Sequence, residues 1–325
     1  MSEFAPELPL LVPSFSSKGN LFLHTKDGKY VSDNYSLLQA LDIKVSKTYL
    51  LSAYDIYYGF MPNDPNELPD TDYLFIDSGG YEISDAFDLS ERNKFNYSVL
   101  PWDVEKMKAV YRKICTCGKF KNTTIILSGY DEQGPLNKQL KEIQLLKYEF
   151  PNAILNYIIR IGCPIRELLI EIKREKEYLS DTLILGFPEK DLGSTVCERL
   201  QNLILIKKSL LDCGWSGYIH LFGGLEPNLV KLYFLAGADI FDGLSWQRVR
   251  YRNDSNLYSP EDFLIYMSEE ENKYLMMTDN LAVLSNITGE LSILSNKRLE
   301  KMGILELSLI KNEFSINDIL MLLGV

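Results

Sequence analysis

Apolar positions along this chain fall into two alternating kinds of stretch. Eight short runs are nearly continuous in aliphatic and aromatic residues: Leu8–Pro13, Tyr49–Ala53, Tyr73–Ile76, Thr124–Leu127, Leu155–Ile161, Thr182–Leu185, Tyr218–Phe222 and Asp239–Phe241. Parallel strands buried on both faces read this way. Between the later runs, Val104–Ile114, Leu136–Tyr148, Ile165–Tyr178, Val196–Leu211 and Pro227–Leu235 space their apolar residues at i, i+3, i+4, the period of an amphipathic helix. Strand, helix, strand, repeated, predicts right-handed parallel crossovers. Eight such strands predict an α/β fold of the (β/α)8 TIM-barrel type. A doubly wound sheet is the alternative, but no GxGxxG follows the first run. Pro62–Pro69, with three prolines and two asparagines, is expected to be a loop, as is polar Arg250–Pro260. Glu261–Val325 is expected to be helical. The expected organisation is a barrel over 1–255 with a helical extension over 256–325.

A TIM barrel keeps its chemistry on the loops at the C-terminal ends of its strands, and several runs end there in polar or glycine-rich clusters. The third gives Asp77-Ser78-Gly79-Gly80-Tyr81-Glu82, the fourth Ser128-Gly129-Tyr130-Asp131-Glu132-Gln133-Gly134-Pro135, and the sixth Gly186-Phe187-Pro188-Glu189. The seventh holds His220 and ends in Gly223-Gly224, and the eighth gives Asp242-Gly243-Leu244-Ser245-Trp246. A single aspartate at such a position is most simply a loop cap accepting backbone N–H groups. Three of them, Asp77, Asp131 and Asp242, at one end of one barrel point instead to a shared pocket. Glycines beside them let a flat ligand approach the backbone. His220 divides evenly between a satisfied core histidine and a site residue, whereas His24 falls in a turn and is expected at the surface.

Composition narrows the partners. The chain has 325 residues, 46% hydrophobic and 24% charged, enough for one large core. Its net charge of −11 offers little to a phosphate backbone, so a polynucleotide would need a local basic patch. Arg248, Arg250 and Arg252, at alternate positions after the eighth run, are candidates, with a solvated edge as the plainer reading. Cys115, Cys117, Cys163, Cys197 and Cys213 lack zinc-ligand spacing and are expected to be reduced core residues. No run reaches the ~18 apolar residues of a membrane span and no leader pattern opens the chain, so a cytoplasmic protein without membrane association is expected.

Taken together, four motifs in order resemble the tRNA-guanine transglycosylase superfamily. Phe75-Ile76-Asp77-Ser78-Gly79-Gly80-Tyr81 is similar to its DSGG-aromatic motif, and Tyr130-Asp131-Glu132 followed by Pro135 to its FDE-x-x-P motif. Phe222-Gly223-Gly224-Leu225-Glu226-Pro227 with Gly237-Ala238-Asp239-Ile240-Phe241-Asp242 resembles its glycine turn, helix and GxDxFD sequence. Leu275-Met276-Met277-Thr278-Asp279-Asn280-Leu281 resembles a segment beyond its barrel. The resemblance implies exchange of guanine in DNA or tRNA for a 7-deazaguanine base. It casts Asp242 as the nucleophile on C1′ of the ribose and Asp77 as general acid/base. Asp131 would accept hydrogen bonds from the base, and Tyr81 would stack on it. Ser78, Gly79, Gly186, Gly223, Gly224 and His220 complete the expected base pocket.

Departures from the family pattern redirect the expectation. A C-x-C-x-x-C…H zinc site usually follows the nucleophile strand, but no cysteine or histidine follows His220, so neither a metal site nor a cofactor is expected. Glu82 stands where the family has Gln, and Gly243-Leu244-Ser245-Trp246-Gln247-Arg248 replaces its PTR-type sequence. These features resemble branches outside tRNA housekeeping: those that modify DNA, and transglycosylase-like components of bacterial anti-phage operons. The latter lie beside a protein resembling the enzyme that makes 7-cyano-7-deazaguanine. Two functions are therefore carried forward: a base-exchange enzyme, and a guanine- or 7-deazaguanine-binding component that acts with a protein partner from a deazaguanine pathway in antiviral defence.

Overall fold

A computed structural model describes residues 4–18, 22–24, 30–32, 34–35, 38, 47–84, 98–131, 134–251, 256–258 and 269–311. The chain forms a closed barrel of eight parallel strands with helices between them, a (β/α)8 TIM barrel. The barrel strands are β1 (Leu10–Phe15), β2 (Thr48–Ser52), β3 (Tyr73–Asp77), β4 (Thr124–Ser128), β5 (Ile154–Ile158), β6 (Ile184–Pro188), β7 (Tyr218–Phe222) and β8 (Ile240–Gly243). Each pairs with the next, and β8 closes on β1 with Val12 opposite Asp242. All eight expected runs become strands. β1 runs two residues beyond the expected end, which brings Ser14 into the barrel.

The helices are α1 (Ala53–Tyr58), α2 (Gly80–Ile83), α3 (Val104–Cys115), α4 (Leu136–Glu149), α5 (Ile165–Arg174), α6 (Lys176–Ser180), α7 (Val196–Asp212), α8 (Pro227–Ala236), α9 (Glu269–Ser292) and α10 (Arg298–Lys311). Local chemistry sets several starts. Asp103 accepts the Lys106 N–H at the head of α3, and Thr195 and Glu198 form a reciprocal capping box on α7. The single helix expected over Ile165–Tyr178 is divided at Glu175, whose ψ of 18° leaves the helical range. Pro62–Pro69 is a loop apart from one short 3-10 turn, Pro65–Glu67. Part of the loop expected over Arg250–Pro260 is instead a two-stranded ribbon, Val249–Tyr251 against Asn256–Tyr258.

Strand side chains alternate between two environments, as the period of two requires. Outward residues such as Leu51, Leu74, Leu127, Leu185 and Leu221 join the helices in the larger core. Inward residues Leu10, Val12, Leu50, Phe75, Ile126, Ile184 and Ile240 fill the barrel, and Phe4 plugs its lower end edge-on to Tyr73 and Tyr218. The same inward parity, followed upward, ends in Ser14, Ser52, Asp77, Ser128, Phe222 and Asp242. The upper mouth of the barrel is therefore polar, whereas the residues below it are mostly apolar.

The C-terminal helices pack on this core. Met276, Met277, Leu281, Leu284, Met302 and Leu305 are buried in it. Arg298 lies over the Phe234 ring at 4.1 Å and donates to Asp239 at 2.5 Å, fixing α10 beneath β8. Asn280 of α9 donates to the Trp246 and Val249 carbonyls at 2.7 and 2.8 Å and accepts the Tyr251 N–H. The extension thereby holds the loop that follows Asp242. Residues 259–268 and 312–325 of the expected extension lie outside the described residues, as do Glu132, Gln133 and Arg252. Cys115, Cys117, Cys163, Cys197 and Cys213 are free thiols and only half-buried, at the edge of the core rather than inside it. No described helix is long and apolar enough to cross a membrane.

Candidate active site

Asp242 and Asp77 stand at the mouth, on strands separated by β1 and β2. Asp242 is almost enclosed. Its Oδ2 accepts the Ser14 hydroxyl at 2.8 Å and its Oδ1 the Gly223 N–H at 3.0 Å. Gly223 takes a left-handed φ of 80°, which turns its N–H toward the carboxylate, and the place of its missing Cβ is open space. Ser14 in turn accepts the Gly243 N–H at 3.2 Å, so β1 and β8 hold the aspartate between them. The next loop is pinned to the same strand, with Trp246 and Gln247 both donating to the Ser14 carbonyl, at 3.1 and 2.6 Å.

Asp77 is held more loosely, by the Gly79 N–H at 3.3 Å. Its pKa is pushed up to about 8, first by burial, then by the charges of Glu82, Asp131 and Asp242, against the Gly79 hydrogen bond. Glu82 of α2, Asp131 in the loop after β4 and Asp242 of β8 therefore each lie within electrostatic reach of Asp77 at the upper end of the barrel.

Glu82 is the fourth member, and its weight was not visible in the sequence. It is buried, accepting the Ser52 hydroxyl at 2.7 Å and the Ser16 hydroxyl on its other oxygen. Behind it, fully buried Asp55 of α1 accepts the Ser17 N–H at 2.6 Å and the Ser17 hydroxyl. Burial raises both carboxyls above their usual range, with the Glu82 charge adding to the effect at Asp55 and the serine hydrogen bonds opposing it at both. The end of β1 thus works as a hydroxyl ladder. Ser14, Ser16 and Ser17 each serve a carboxylate from a different part of the chain.

Asp131 meets Arg160, whose Nη1 lies 3.0 Å from both carboxylate oxygens. The rest of the guanidinium bonds Asp191, with Nε to Oδ2 at 2.8 Å. A Cβ on Gly80 would fall 2.5 Å from Asp131 Oδ2, so that glycine is what lets Asp131 reach over β3. Tyr81 is half-buried. Lys18 Nζ sits 4.6 Å from its ring centroid, and Arg248 donates to its hydroxyl at 3.3 Å. Of the other arginines proposed for the mouth, Arg250 is bonded to Asp279 at 2.7 Å on α9.

The remaining expected residues serve the scaffold as well as the mouth. A Cβ on Gly79, at φ 91°, would strike Trp102 and Tyr54 at 2.8 Å, and Trp102 donates to the Ser78 carbonyl at 2.9 Å. Ser78 is buried and its hydroxyl has no hydrogen-bond partner among the described residues. The space over Gly186 is filled from within by Phe222 and Asn156, and that at Gly224 by Leu221. His220 is wholly buried beneath Asp242, not open to the mouth. Among the described residues, no group of three or more His, Cys, Asp or Glu is arranged to hold a metal ion. Neither a protein-family model nor a curated protein matches the chain.

Proposed function

We propose that this chain is a base-exchange transglycosylase that replaces guanine in DNA or tRNA with a 7-deazaguanine base. One observation carries the reading: Asp77 and Asp242 share one mouth, and Asp77 holds a proton up to about pH 8. Glycosyl transfer with retention needs this division between a nucleophile and an acid. The Asp242 carboxylate attacks C1′ as the bond to N9 of guanine breaks. Asp77 gives its proton to the leaving base, and the ribose stays esterified to Asp242. The incoming base then loses its N9 proton to Asp77, attacks C1′ and returns Asp242 to a carboxylate. Gly223 N–H and the Ser14 hydroxyl orient the nucleophile. Tyr81 supplies a flat surface for a base drawn out of its stack, and Asp131, steadied by Arg160, accepts its N–H groups. The test is incorporation of labelled guanine or 7-cyano-7-deazaguanine into tRNA, duplex DNA and short oligonucleotides. Exchange into at least one is expected, and exchange into none overturns the reading.

A second reading is favoured by the net charge of −11 and by the pairing of Arg250 with Asp279, which leaves fewer cations for a phosphate backbone. The pocket would then hold a 7-deazaguanine for a protein partner, in an antiviral role, without base exchange. Tight binding of the free base combined with no exchange selects it.

A further inference from the structure

Below the mouth, the barrel interior should be purely apolar, yet it contains an asparagine and a histidine. Asn156 of β5 and His220 of β7 are both fully buried. With Phe75 of β3 they come from alternate strands, the manner in which barrel interiors fill in layers. Phe222 stacks on the imidazole at 4.1 Å between centroids and Phe75 meets it edge-on at 5.6 Å. Both ring nitrogens are aimed at polar groups. Nδ1 lies 2.7 Å from the Asn156 amide nitrogen, and Nε2 lies 3.4 Å from Asp242 Oδ1. Among the described residues nothing else bonds Nε2, and Asn156 Oδ1 has no partner. Buried polar atoms without partners are costly, so a pair of them in an apolar layer calls for a role.

The two distances define one proton arrangement. An amide N–H donating to Nδ1 makes that nitrogen the acceptor, which leaves the proton of a neutral ring on Nε2. That N–H then lies on the side of Asp242, 3.4 Å from Oδ1, whereas the other tautomer would set a lone pair against a carboxylate. At 3.4 Å the contact is longer than a formed N–H···O bond, as hydrogen bonds at a reaction centre commonly are before the substrate is bound.

We propose that Asn156 and His220 form a buried relay that positions Asp242: Asn156 selects the Nε2–H tautomer, and that N–H holds Oδ1 from below while Ser14 holds Oδ2 from the side. His220 is a positioning residue, since it is enclosed and touches no substrate. The inference deepens the transglycosylase reading and rests on it for its kinetic consequence, but the tautomer can be judged without any activity.

The chain has two histidines, so a His24→Gln background leaves one imidazole to observe. Its ring nitrogens are followed by ¹⁵N NMR of ligand-free protein at mildly alkaline pH. A protonated Nε2 and an accepting Nδ1 are expected. Asn156→Asp should draw the proton to Nδ1, because a carboxylate there can only accept. An Nδ1–H ring in the unaltered protein, or a tautomer indifferent to Asn156→Asp, overturns the relay. Where base exchange is detected, His220→Phe should lower kcat roughly tenfold, the loss of one hydrogen bond to a charged group, with KM for the base unchanged. His220→Gln, which keeps an N–H donor, should recover most of that loss. Equal losses in both variants, or a loss confined to KM, also contradict the relay. If no exchange is found at all, the transglycosylase reading fails while the NMR result still decides the tautomer.

Discussion

The β3 and β8 corners of the barrel mouth begin from the same ingredient, an aspartate that ends an apolar strand, and treat it in opposite ways. Around Asp242 the protein gathers donors, the Ser14 hydroxyl and the Gly223 N–H, with the His220 imidazole 3.4 Å below. Around Asp77 it gathers carboxylates, Glu82 and Asp131, with Gly79 supplying one long hydrogen bond. On the proposed reading, one corner orients the nucleophile and the other keeps a proton. The two aspartates share a residue type and a place at the upper end of a barrel strand, and differ in what surrounds them.

This contrast can be broken from either side. The largest effect is expected from Asp242→Asn, which keeps shape and removes the nucleophile. Exchange of labelled guanine should fall by on the order of 10³ or more, as for other nucleophile deletions. Asp77→Asn should cost about 10²–10⁴ in turnover, the range of a general acid, while free base still binds in a calorimetric titration. Asp131→Ala should weaken base binding roughly tenfold to a hundredfold, with kcat less affected.

The pH dependence sharpens the same contrast. Asp77 must hold its proton to release the first base, so exchange should decline as pH rises through about 8. Glu82→Gln removes the largest of the charges that raise Asp77 and should move this limb to lower pH. An unmoved limb would show that Glu82 does not reach Asp77. Stability should follow a related trend. Asp55, Asp77 and Glu82 have folded-state values above their ordinary ones, so above pH ~4 the folded chain holds protons that the unfolded chain has lost. Their protonated forms favour the fold at low pH, and that advantage disappears as pH rises. Each group contributes a slope of at most about 1.4 kcal/mol per pH unit. The melting temperature should therefore fall between about pH 5 and pH 8, less steeply in Asp77→Asn. A rise over that interval would contradict the assignment.

The barrel was legible in the sequence because each strand announces itself locally, in a short and nearly continuous apolar run. Asp77, Asp131 and Asp242 were legible for a related reason, as polar residues just where such a run ends. What holds them was not. Ser14 and Asp242 are 228 positions apart, and a serine at the end of the first run carries no local sign of its partner. Arg160 follows β5 as Asp131 follows β4, but only the pairing of those strands shows that its guanidinium bonds Asp131 directly and Asp191 beside it. Asn156 reads as one more residue of an apolar strand until His220 appears beside it. Glycines mislead in the other direction. Gly79, Gly186 and Gly224 lie in motif positions that point to a ligand, yet much of the space they leave is taken by the protein's own side chains.

The central claim, that Asp242 attacks while Asp77 supplies the proton, is tested most directly by trapping the ester. The protein is incubated with labelled tRNA, duplex DNA or oligonucleotide in the absence of free base and resolved under denaturing conditions. A covalent complex is expected for the unaltered protein. It should disperse when guanine or a 7-deazaguanine is added, and it should be missing in Asp242→Asn. Tight binding of a deazaguanine with no covalent complex on any of these nucleic acids would contradict the account and leave the protein as a binding component.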